Sequence, residues 1–369
     1  MHIWQRDDWP DFRWDDARLI EPLAAARLQQ GRLIGGMARL GFDINREAQL
    51  EALTEDVVKS SAIEGETLNR AGVRSSLARH LGVPEAAAAP ADRRAEGVVE
   101  MLLDATENYA QPLTRERLWA WQAALFPAGV SGLHRIRTGA WRDDADGPMQ
   151  VVSGPVGRRR VHYEAPPADR LEGEMQRFLA WFDARSATDG LLRAGLAHLW
   201  LVTVHPFEDG NGRIARAVAD QALARSEASG QRFYSLSGQI QQERSDYYAQ
   251  LEAAQKGGLD VTDWMAWFLG CFTRALGGAE AAGAHVLRKA DFWRDHAALP
   301  LSDRQKAMLN RCLDGFDGKL TAAKWSALTK VSIPTAQRDI NDLLERGVLK
   351  RNAGGSKNTS YELGPTGPR

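Results

Sequence analysis

Apolar residues recur every three or four positions along most of the chain from about residue 45 onward, which is the period of an amphipathic helix. This pattern predicts helices over Ala168–Ala184, Gly190–Thr203, Gly212–Ser226, Glu243–Ala254 and Val261–Leu276. Gly- and Pro-containing breaks separate these segments. A mostly α-helical fold is therefore expected.

Four aromatic residues crowd the N-terminal segment, ahead of a helix predicted over Asp15–Leu40. They are Trp4, Trp9, Phe12 and Trp14. Large aromatic side chains this close together are most simply explained as a small packing core, which needs no ligand. We therefore take residues 1–48 as a first, helical and aromatic unit.

One segment breaks the helical period. Gly147–Pro167 carries two short β-type runs, Gln150–Val152 and Arg160–Tyr163, on either side of a Gly/Pro turn. An isolated hairpin is only marginally stable in water, so this one is expected to lean on the helices.

The last segment, 296–369, has a different order of elements. Short helices are predicted over Asp303–Asp314, Thr321–Lys330 and Pro334–Glu345, followed by two short strands around a Gly/Lys turn. Three helices and a two-stranded wing resemble a winged helix-turn-helix. A helical bundle with its hairpin is expected between the two smaller units, over 49–295.

Composition sets limits on the function. With 369 residues, 44 % hydrophobic positions and a net charge of -1, the chain can bury a sizeable core but has no overall field for nucleic acid or membranes. Cys271 and Cys312 are its two cysteines, which excludes a disulfide framework and a Cys-rich zinc site. The longest uncharged apolar stretch, Gly195–Val204, is about half a bilayer span. We expect a cytoplasmic protein without a membrane partner.

The segment with the clearest chemistry is HPFEDGNGRIAR, His205 to Arg216. It places Gly210-Asn211-Gly212 directly before a helix, where free backbone N–H groups and the helix dipole form an anion site. Arg213 and Arg216 lie one turn apart on that helix, and two guanidinium groups beside such a site suit a polyphosphate. A nucleotide is the expected ligand.

Two further residues of this segment fit a nucleotide reaction. Asp209, at the mouth of the anion site, could hold Mg²⁺ between phosphate oxygens. His205 has an ordinary pKa near 6.5 and can take a proton from a hydroxyl at neutral pH. Taken one at a time, such residues are more often helix caps, core residues or surface ion pairs.

The whole string matches the signature of the Fic family, His-x-Phe-x-Asp/Glu-Gly-Asn-Gly-Arg-x-x-Arg, at every fixed position. The hairpin ending at Tyr163–Pro167 resembles the family's substrate-positioning flap, and Thr138–Arg142 fits the family pattern as well. The similarity covers roughly residues 50 to 275. The first unit and the winged helix resemble accessories of some bacterial members.

This resemblance implies transfer of AMP from ATP to a Tyr, Thr or Ser hydroxyl of a protein, the chain itself included, with release of pyrophosphate. His205 would be the general base and Asp209 the Mg²⁺ ligand. The nucleotide-binding residues would be Asn211, the backbone of Gly210 and Gly212, and the arginines Arg213 and Arg216. Some relatives use another nucleotide or transfer a different group. A homodimer also fits the resemblance.

Upstream, KSSAIEGETL contains Ser60-x-x-x-Glu64-Gly65, which matches the family's inhibitory pattern. On a helix near 55–66, the i, i+4 spacing puts Ser60 and Glu64 on one face. The resemblance then implies that Glu64 pairs with Arg216 and blocks productive ATP binding. Otherwise Glu64 caps a helix or faces water. In some relatives the same glutamate supports removal of AMP, and the sequence leaves that reverse reaction open.

Tyr247 and Tyr248 follow the motif where the family lines its nucleotide-base pocket. Adjacent helical residues point about 100° apart, so at most one, taken as Tyr248, is expected to touch adenine; packing is the alternative. Arg158–Arg160, at the hairpin turn, could steer an acidic target or simply be solvated.

The winged helix offers a second class of function. Residue types that contact DNA are Thr335, Gln337 and Arg338 on the predicted recognition helix and Lys350, Arg351 and Lys357 in the wing. Such folds also mediate protein contacts. The alternative to an enzyme is thus a DNA-binding regulator whose Fic core senses a nucleotide, with binding that weakens steeply as salt rises.

Overall fold

A computed structural model describes residues 1–38, 42–83, 93–145, 147–153, 158, 160–313, 318–352 and 359–364. The chain divides into two compact units, Met1–Glu280 and Ala281–Arg369. Most of the described residues are helical, as predicted. Residues 1–48 fall within the first unit, and the division between the units comes before the segment boundary predicted at 295/296.

The first unit is a bundle of helices with two small antiparallel hairpins. Its helices are α1 (Asp16–Met37), α2 (Phe42–Ile63), α3 (Arg70–Leu81), α4 (Arg93–Glu107), α5 (Arg115–Leu125), α6 (Leu171–Asp183), α7 (Gly190–Val204), α8 (Asn211–Glu227), α9 (Leu236–Gln242), α10 (Arg244–Lys256) and the first part of α11 (Thr262–Asp295). Its hairpins pair β1 (Val130–Ser131) with β2 (His134–Arg135) and β3 (Gln150–Ser153) with β4 (Arg160–Glu164).

Helices α7 and α8 form the buried centre of this unit and pack against each other. Every residue of α7 from Leu191 to Val204 is buried except Arg193, because the helix is apolar on nearly every face. Helix α8 is rich in alanine on its buried positions, which lets the two helices approach closely. Since α8 begins inside the bundle, its first arginines, Arg213 and Arg216, are buried as well.

Helix α2 is fixed against the bundle by a buried carboxylate. Asp56 accepts hydrogen bonds from the Ser235 hydroxyl at 2.7 Å and from the Ser237 N–H at 3.0 Å. Burial raises the pKa of Asp56 above its ordinary value, and the hydrogen bonds from the serines oppose this shift. This anchor holds the helix whose C-terminal end carries Ser60.

The β3–β4 hairpin leans on α7, as expected for a hairpin that is marginal alone. Val152 pairs with Val161, and the register shifts between Val151 and Val152. Tyr163 is buried, and its hydroxyl donates to the Thr203 carbonyl at 2.8 Å. We call β3–β4 the flap. Its turn residues 154–157 and 159 lie outside the described residues, and so does part of the predicted Arg158–Arg160 cluster.

The N-terminal aromatic residues join the core of the first unit. Trp9 packs edge-on against Phe12 and Trp200. The Trp4 indole donates to the Glu164 carbonyl at 2.8 Å, at the end of the flap. The cluster predicted from sequence therefore packs against the flap and α7.

The second unit has its own core and the element order that the sequence predicts. It contains α12 (Asp303–Leu313), α13 (Ala322–Thr329) and α14 (Ile333–Glu345), followed by β5 (Leu349–Arg351) paired with β6 (Tyr361–Leu363). Trp325 is fully buried at its centre. The likeness to a winged helix, and DNA binding through it, stay predictions.

The predicted DNA-contacting residues differ in their surroundings. Arg338 is exposed on α14, whereas Gln337 is hydrogen-bonded to Asn341 and to the Tyr361 hydroxyl. Lys350 pairs with Glu362 at 2.9 Å. Arg351 is exposed on β5, and the third wing residue, at position 357, lies outside the described residues. Among the helices that the structure describes, none has the length and apolar character to span a membrane.

Candidate active site

His205 ends α7 in an unusual backbone conformation. Its φ and ψ are 52° and 58°, in the left-handed region that residues other than glycine rarely adopt. Its N–H donates to the Leu201 carbonyl at 3.0 Å, so the peptide is fixed as a helix cap. The turn redirects the chain into the Pro206–Gly210 loop, which leads into α8.

The hydrogen bonding of His205 defines its tautomer. Nδ1 lies 3.1 Å from the Val202 carbonyl, and a carbonyl can only accept, so Nδ1 carries the proton and Nε2 presents a lone pair. Burial lowers the pKa of His205 below 6.5; Arg142 adds to this shift, while Glu64 and Asp209 oppose it. The imidazole is thus neutral at pH 7, as a general base requires.

The loop before α8 is braced from inside. Asn211 accepts from the Phe207 N–H at 2.9 Å and donates to the Phe207 carbonyl at 2.8 Å. Both polar groups of its side chain are therefore bonded within the loop, and a phosphate contact of Asn211 stays a prediction. Gly210 adopts φ 90°, and a Cβ there would meet the Phe126 ring at 3.0 Å, so the turn requires glycine.

The structure brings Ser60, Glu64 and Arg216 together, as the family resemblance implies. Helix α2 ends at Ile63, and the chain turns away at Gly65. The Arg216 guanidinium is buried; it donates to the Ser60 hydroxyl at 2.9 Å, the Ser60 carbonyl at 2.8 Å and Glu64 Oε1 at 2.9 Å. Although burial opposes it, Glu64 raises the pKa of Arg216, so the pair stays charged.

Glu64 lies at the anion site itself. A Cβ added to Gly212 would come within 2.1 Å of Glu64 Oε1, which places this carboxylate directly over the first turn of α8. Free N–H groups and the positive end of the dipole favour a negative charge there. The carboxylate therefore occupies the position that the sequence assigns to phosphate.

The other arginine of the motif, Arg213, is also paired with a carboxylate, which the sequence analysis did not predict. Arg213 Nη1 donates to Glu66 Oε2 at 2.7 Å, its side chain is 3 % exposed, and its guanidinium lies over the Phe126 ring at 5.0 Å. Glu66 follows Glu64 by two residues, and its N–H donates to the Ser61 carbonyl at 3.0 Å, as part of the same turn. The one signal in the sequence was the negative charge of Glu66, two residues after Glu64, which could pair with a second motif arginine.

Both arginines keep donor groups that could bind phosphate. Arg213 Nε and Arg216 Nη1 are buried and have no hydrogen-bond acceptor among the described residues. A buried donor without a partner is costly, and phosphate oxygens reaching this position would satisfy both. The arrangement fits a polyphosphate that replaces the carboxylates of Glu64 and Glu66.

Asp209 is placed at the mouth of the site with a partly exposed carboxylate. It accepts from the Ser131 hydroxyl, and from the Gly210 N–H at 2.5 Å. Among the described residues no cluster of three or more His, Cys, Asp or Glu could hold a metal ion. A single carboxylate fits Mg²⁺ that takes its other ligands from phosphate and water.

Of the two adjacent tyrosines, Tyr248 faces the site. Its hydroxyl donates to the Ile63 carbonyl at 3.3 Å, and the side chain remains partly exposed. Tyr247 is buried, with its hydroxyl 2.9 Å from His198 Nε2. The packing alternative therefore holds for Tyr247, while contact of Tyr248 with adenine stays a prediction.

Two stretches of the chain match known family models. Residues 112–223 match the model of the Fic/DOC family, and residues 2–83 match a domain of unknown function, DUF4172. A uridine 5'-monophosphate transferase of Xanthomonas campestris pv. campestris (strain 8004) is 30 % identical over 123 residues, which cover 31 % of this chain and 21 % of that protein.

A protein adenylyltransferase Fic of Drosophila mojavensis is 27 % identical over 234 residues, 63 % of this chain and 42 % of that protein. The chain thus spans less than half the length of these relatives. A crystal structure of a Fic family protein from Desulfovibrio desulfuricans G20 matches with a TM-score of 0.54 at 22 % identity, covering 95 % of this chain and 97 % of that chain. Residues 112–223 thus match the Fic/DOC family model, and the fold resembles that of a Fic family protein.

Proposed function

We propose that this chain is an autoinhibited protein adenylyltransferase, which transfers AMP from ATP to a Tyr, Thr or Ser hydroxyl of a protein, with its own hydroxyls among the acceptors. Relatives named as a protein adenylyltransferase and a uridine 5'-monophosphate transferase support nucleotidyl transfer.

The observation that carries the proposal is the convergence of three functions within the twelve residues from His205 to Arg216. A neutral imidazole offers Nε2, the start of α8 offers free N–H groups, and two buried guanidiniums each keep an unpaired N–H. A structural role for these groups would leave the buried donors without compensation.

The geometry supports a direct displacement at the α-phosphorus. The acceptor hydroxyl gives its proton to His205 Nε2 as its oxygen bonds to phosphorus; the bond to the bridging oxygen breaks, and pyrophosphate leaves with the electron pair. Arg213 and Arg216 stabilise the charge that builds on the outer phosphates. When bound at Asp209, Mg²⁺ would neutralise phosphate charge. Positioning and charge stabilisation supply most of the rate.

Inhibition follows from competition for the same groups. Glu64 Oε1 occupies Arg216 Nη2 and the space above Gly212, so a triphosphate cannot take its productive position while this contact persists. Removing one partner of a buried ion pair typically costs about 3 to 5 kcal/mol, and the Glu64 side chain is 30 % exposed, so its contribution is smaller. Such a contact can be opened by a modest binding energy.

Labelled nucleotides test the proposed reaction. We expect protein labelling from α-labelled ATP and none from γ-labelled ATP, with the Glu64→Gly protein labelled more strongly. Labelling from UTP in preference to ATP would favour the chemistry named for the Xanthomonas relative. No labelling from any nucleotide, together with duplex DNA binding that weakens as salt rises, would favour the DNA-binding regulator.

The pH dependence of transfer should follow His205. The base acts only when neutral, and burial lowers its pKa below the ordinary 6.5. We therefore expect kcat/KM of the Glu64→Gly protein to stay level from pH 8 down past pH 6.5 and to fall only at lower pH, as the imidazole becomes protonated. A loss of activity that begins above pH 6.5 would contradict this. Circular dichroism over the same range controls for unfolding.

A further inference from the structure

One side chain outside the motif joins the catalytic loop to the end of the flap. The guanidinium of Arg142 is fully buried, and each of its nitrogens has its own acceptor. Nε donates to the His205 carbonyl at 2.8 Å, Nη2 to the Pro166 carbonyl at 2.5 Å and Nη1 to Asp144 Oδ1 at 2.8 Å. These bonds use three of the five N–H groups of the guanidinium and fix its plane.

The contact with His205 bears on its backbone. A left-handed conformation is unfavourable at a residue with a Cβ and persists only where neighbours hold it. Arg142 holds the two peptide groups that follow His205. Its side-chain Nε donates to the His205 carbonyl, and its backbone N–H donates to the Pro206 carbonyl at 2.9 Å. The direction of the imidazole depends on this conformation.

The contact with the flap is made from its C-terminal side. Pro166 follows β4 by two residues, and Ala165 closes the hairpin by donating to the Met149 carbonyl at 2.9 Å. Asp144, the ion-pair partner of Arg142, also accepts from the Ala168 N–H at 2.6 Å. Arg142 and Asp144 together fix the exit of the flap relative to the catalytic loop.

We propose that Arg142 is a positioning residue that holds the His205 backbone in its productive conformation and couples it to the position of the flap. The inference rests on the proposed function, since it takes His205 as the base and the flap as the element that presents the acceptor. The planar guanidinium has donors in fixed directions and can bond all three acceptors at once, which the ammonium group of a lysine cannot do in the same geometry.

Electrostatics provide a signature that a purely structural arginine would lack. Burial is the main cause that lowers the pKa of His205, and the positive charge of Arg142 lowers it further. The other charged groups facing the imidazole are Glu64 and Asp209, and both raise its pKa. Loss of the Arg142 charge should therefore raise the His205 pKa. Loss of the guanidinium geometry with the charge retained should not.

Two variants of the full chain, Arg142→Gln and Arg142→Lys, separate charge from geometry. We expect NMR titration of ¹⁵N-histidine-labelled protein, without nucleotide, to show a higher His205 pKa in the glutamine variant and a nearly unchanged one in the lysine variant. Comparison with His205→Gln assigns the signal. In the Glu64→Gly background, both should lower kcat by about 10- to 100-fold, as expected for misplaced reacting groups, with the Kd of ATP unchanged.

Arg117→Gln is the matched control. Arg117 is also largely buried; it pairs with Asp104 at 2.7 Å and donates to backbone carbonyls, none of them in the flap or the His205 loop. Its loss should lower the melting temperature without moving the His205 titration. The proposal is overturned if Arg142→Gln and Arg117→Gln give the same His205 pKa, or if kcat per folded protein is unchanged in both Arg142 variants. A shifted His205 pKa in a protein that never transfers a nucleotide would refute the adenylyltransferase function and leave the positioning role standing.

Discussion

Replacing His205 with alanine should abolish AMP transfer while leaving ATP binding nearly intact. The side chain is poised as a base, with Nδ1 held by the Val202 carbonyl and Nε2 free. A positioned general base contributes typically 10²- to 10⁴-fold, so we expect kcat to fall by at least about 100-fold. The groups proposed to bind phosphate are separate from this imidazole and lie on α8, so the Kd of ATP should change by less than about threefold. Single-turnover transfer and calorimetric binding of ATP, both in the Glu64→Gly background, measure the two quantities.

His80→Ala provides the control for losing a histidine. His80 Nδ1 also lies near a backbone carbonyl one turn earlier, that of Ser76, at 3.2 Å, but His80 is exposed on α3. This variant should transfer AMP at the parental rate. A His205→Ala protein that still modifies its acceptor at the parental rate would remove His205 from the reaction.

The elements that build the site were predictable because their signals are local. The continuous apolar run of α7 and the helix start at Gly210–Gly212 each depend on neighbouring residues, and the structure places α7 and α8 within one residue of the predicted bounds. Contact of Ser60 and Glu64 with Arg216 was implied by the family resemblance, while the i, i+4 spacing placed the two residues on one face. Short-range periodicity and helix-capping chemistry determine these features.

What the sequence left open depends on contacts between distant segments. Ser131 donates to Asp209, and Glu66 pairs with Arg213, across 78 and 147 residues of chain. No periodic pattern relates such residues, because tertiary packing alone brings them together. Asn211 shows the same limit, since whether its amide faces a ligand or its own loop depends on how tightly the loop closes around Phe207.

Replacing Glu64 with glycine should increase auto-modification by at least about tenfold. The substitution frees one N–H of Arg216 Nη2 and the space above Gly212, while Ser60 still orients the guanidinium, with its hydroxyl accepting from Nε and its carbonyl from the other N–H of Nη2. A tenfold change corresponds to about 1.4 kcal/mol, which is within reach of a partly exposed charge pair at a buried arginine. Mass spectrometry after incubation with ATP and Mg²⁺ should show the added mass of AMP. An unchanged rate would count against Glu64 as the inhibitor.

We expect Glu64→Gly to relieve the inhibition only in part, because Glu66 Oε2 still accepts from Arg213 Nη1 at 2.7 Å. Glu66→Gln alone should raise the rate by about two- to fivefold, since Glu64 still covers the anion site. The double variant should exceed Glu64→Gly by a similar factor. Glu51→Gln, which alters an exposed carboxylate of α2 paired with Arg70, should change neither rate. If Glu66→Gln instead slowed the Glu64→Gly protein, Glu66 would be aiding the reaction, and inhibition would rest on the Glu64–Arg216 pair alone.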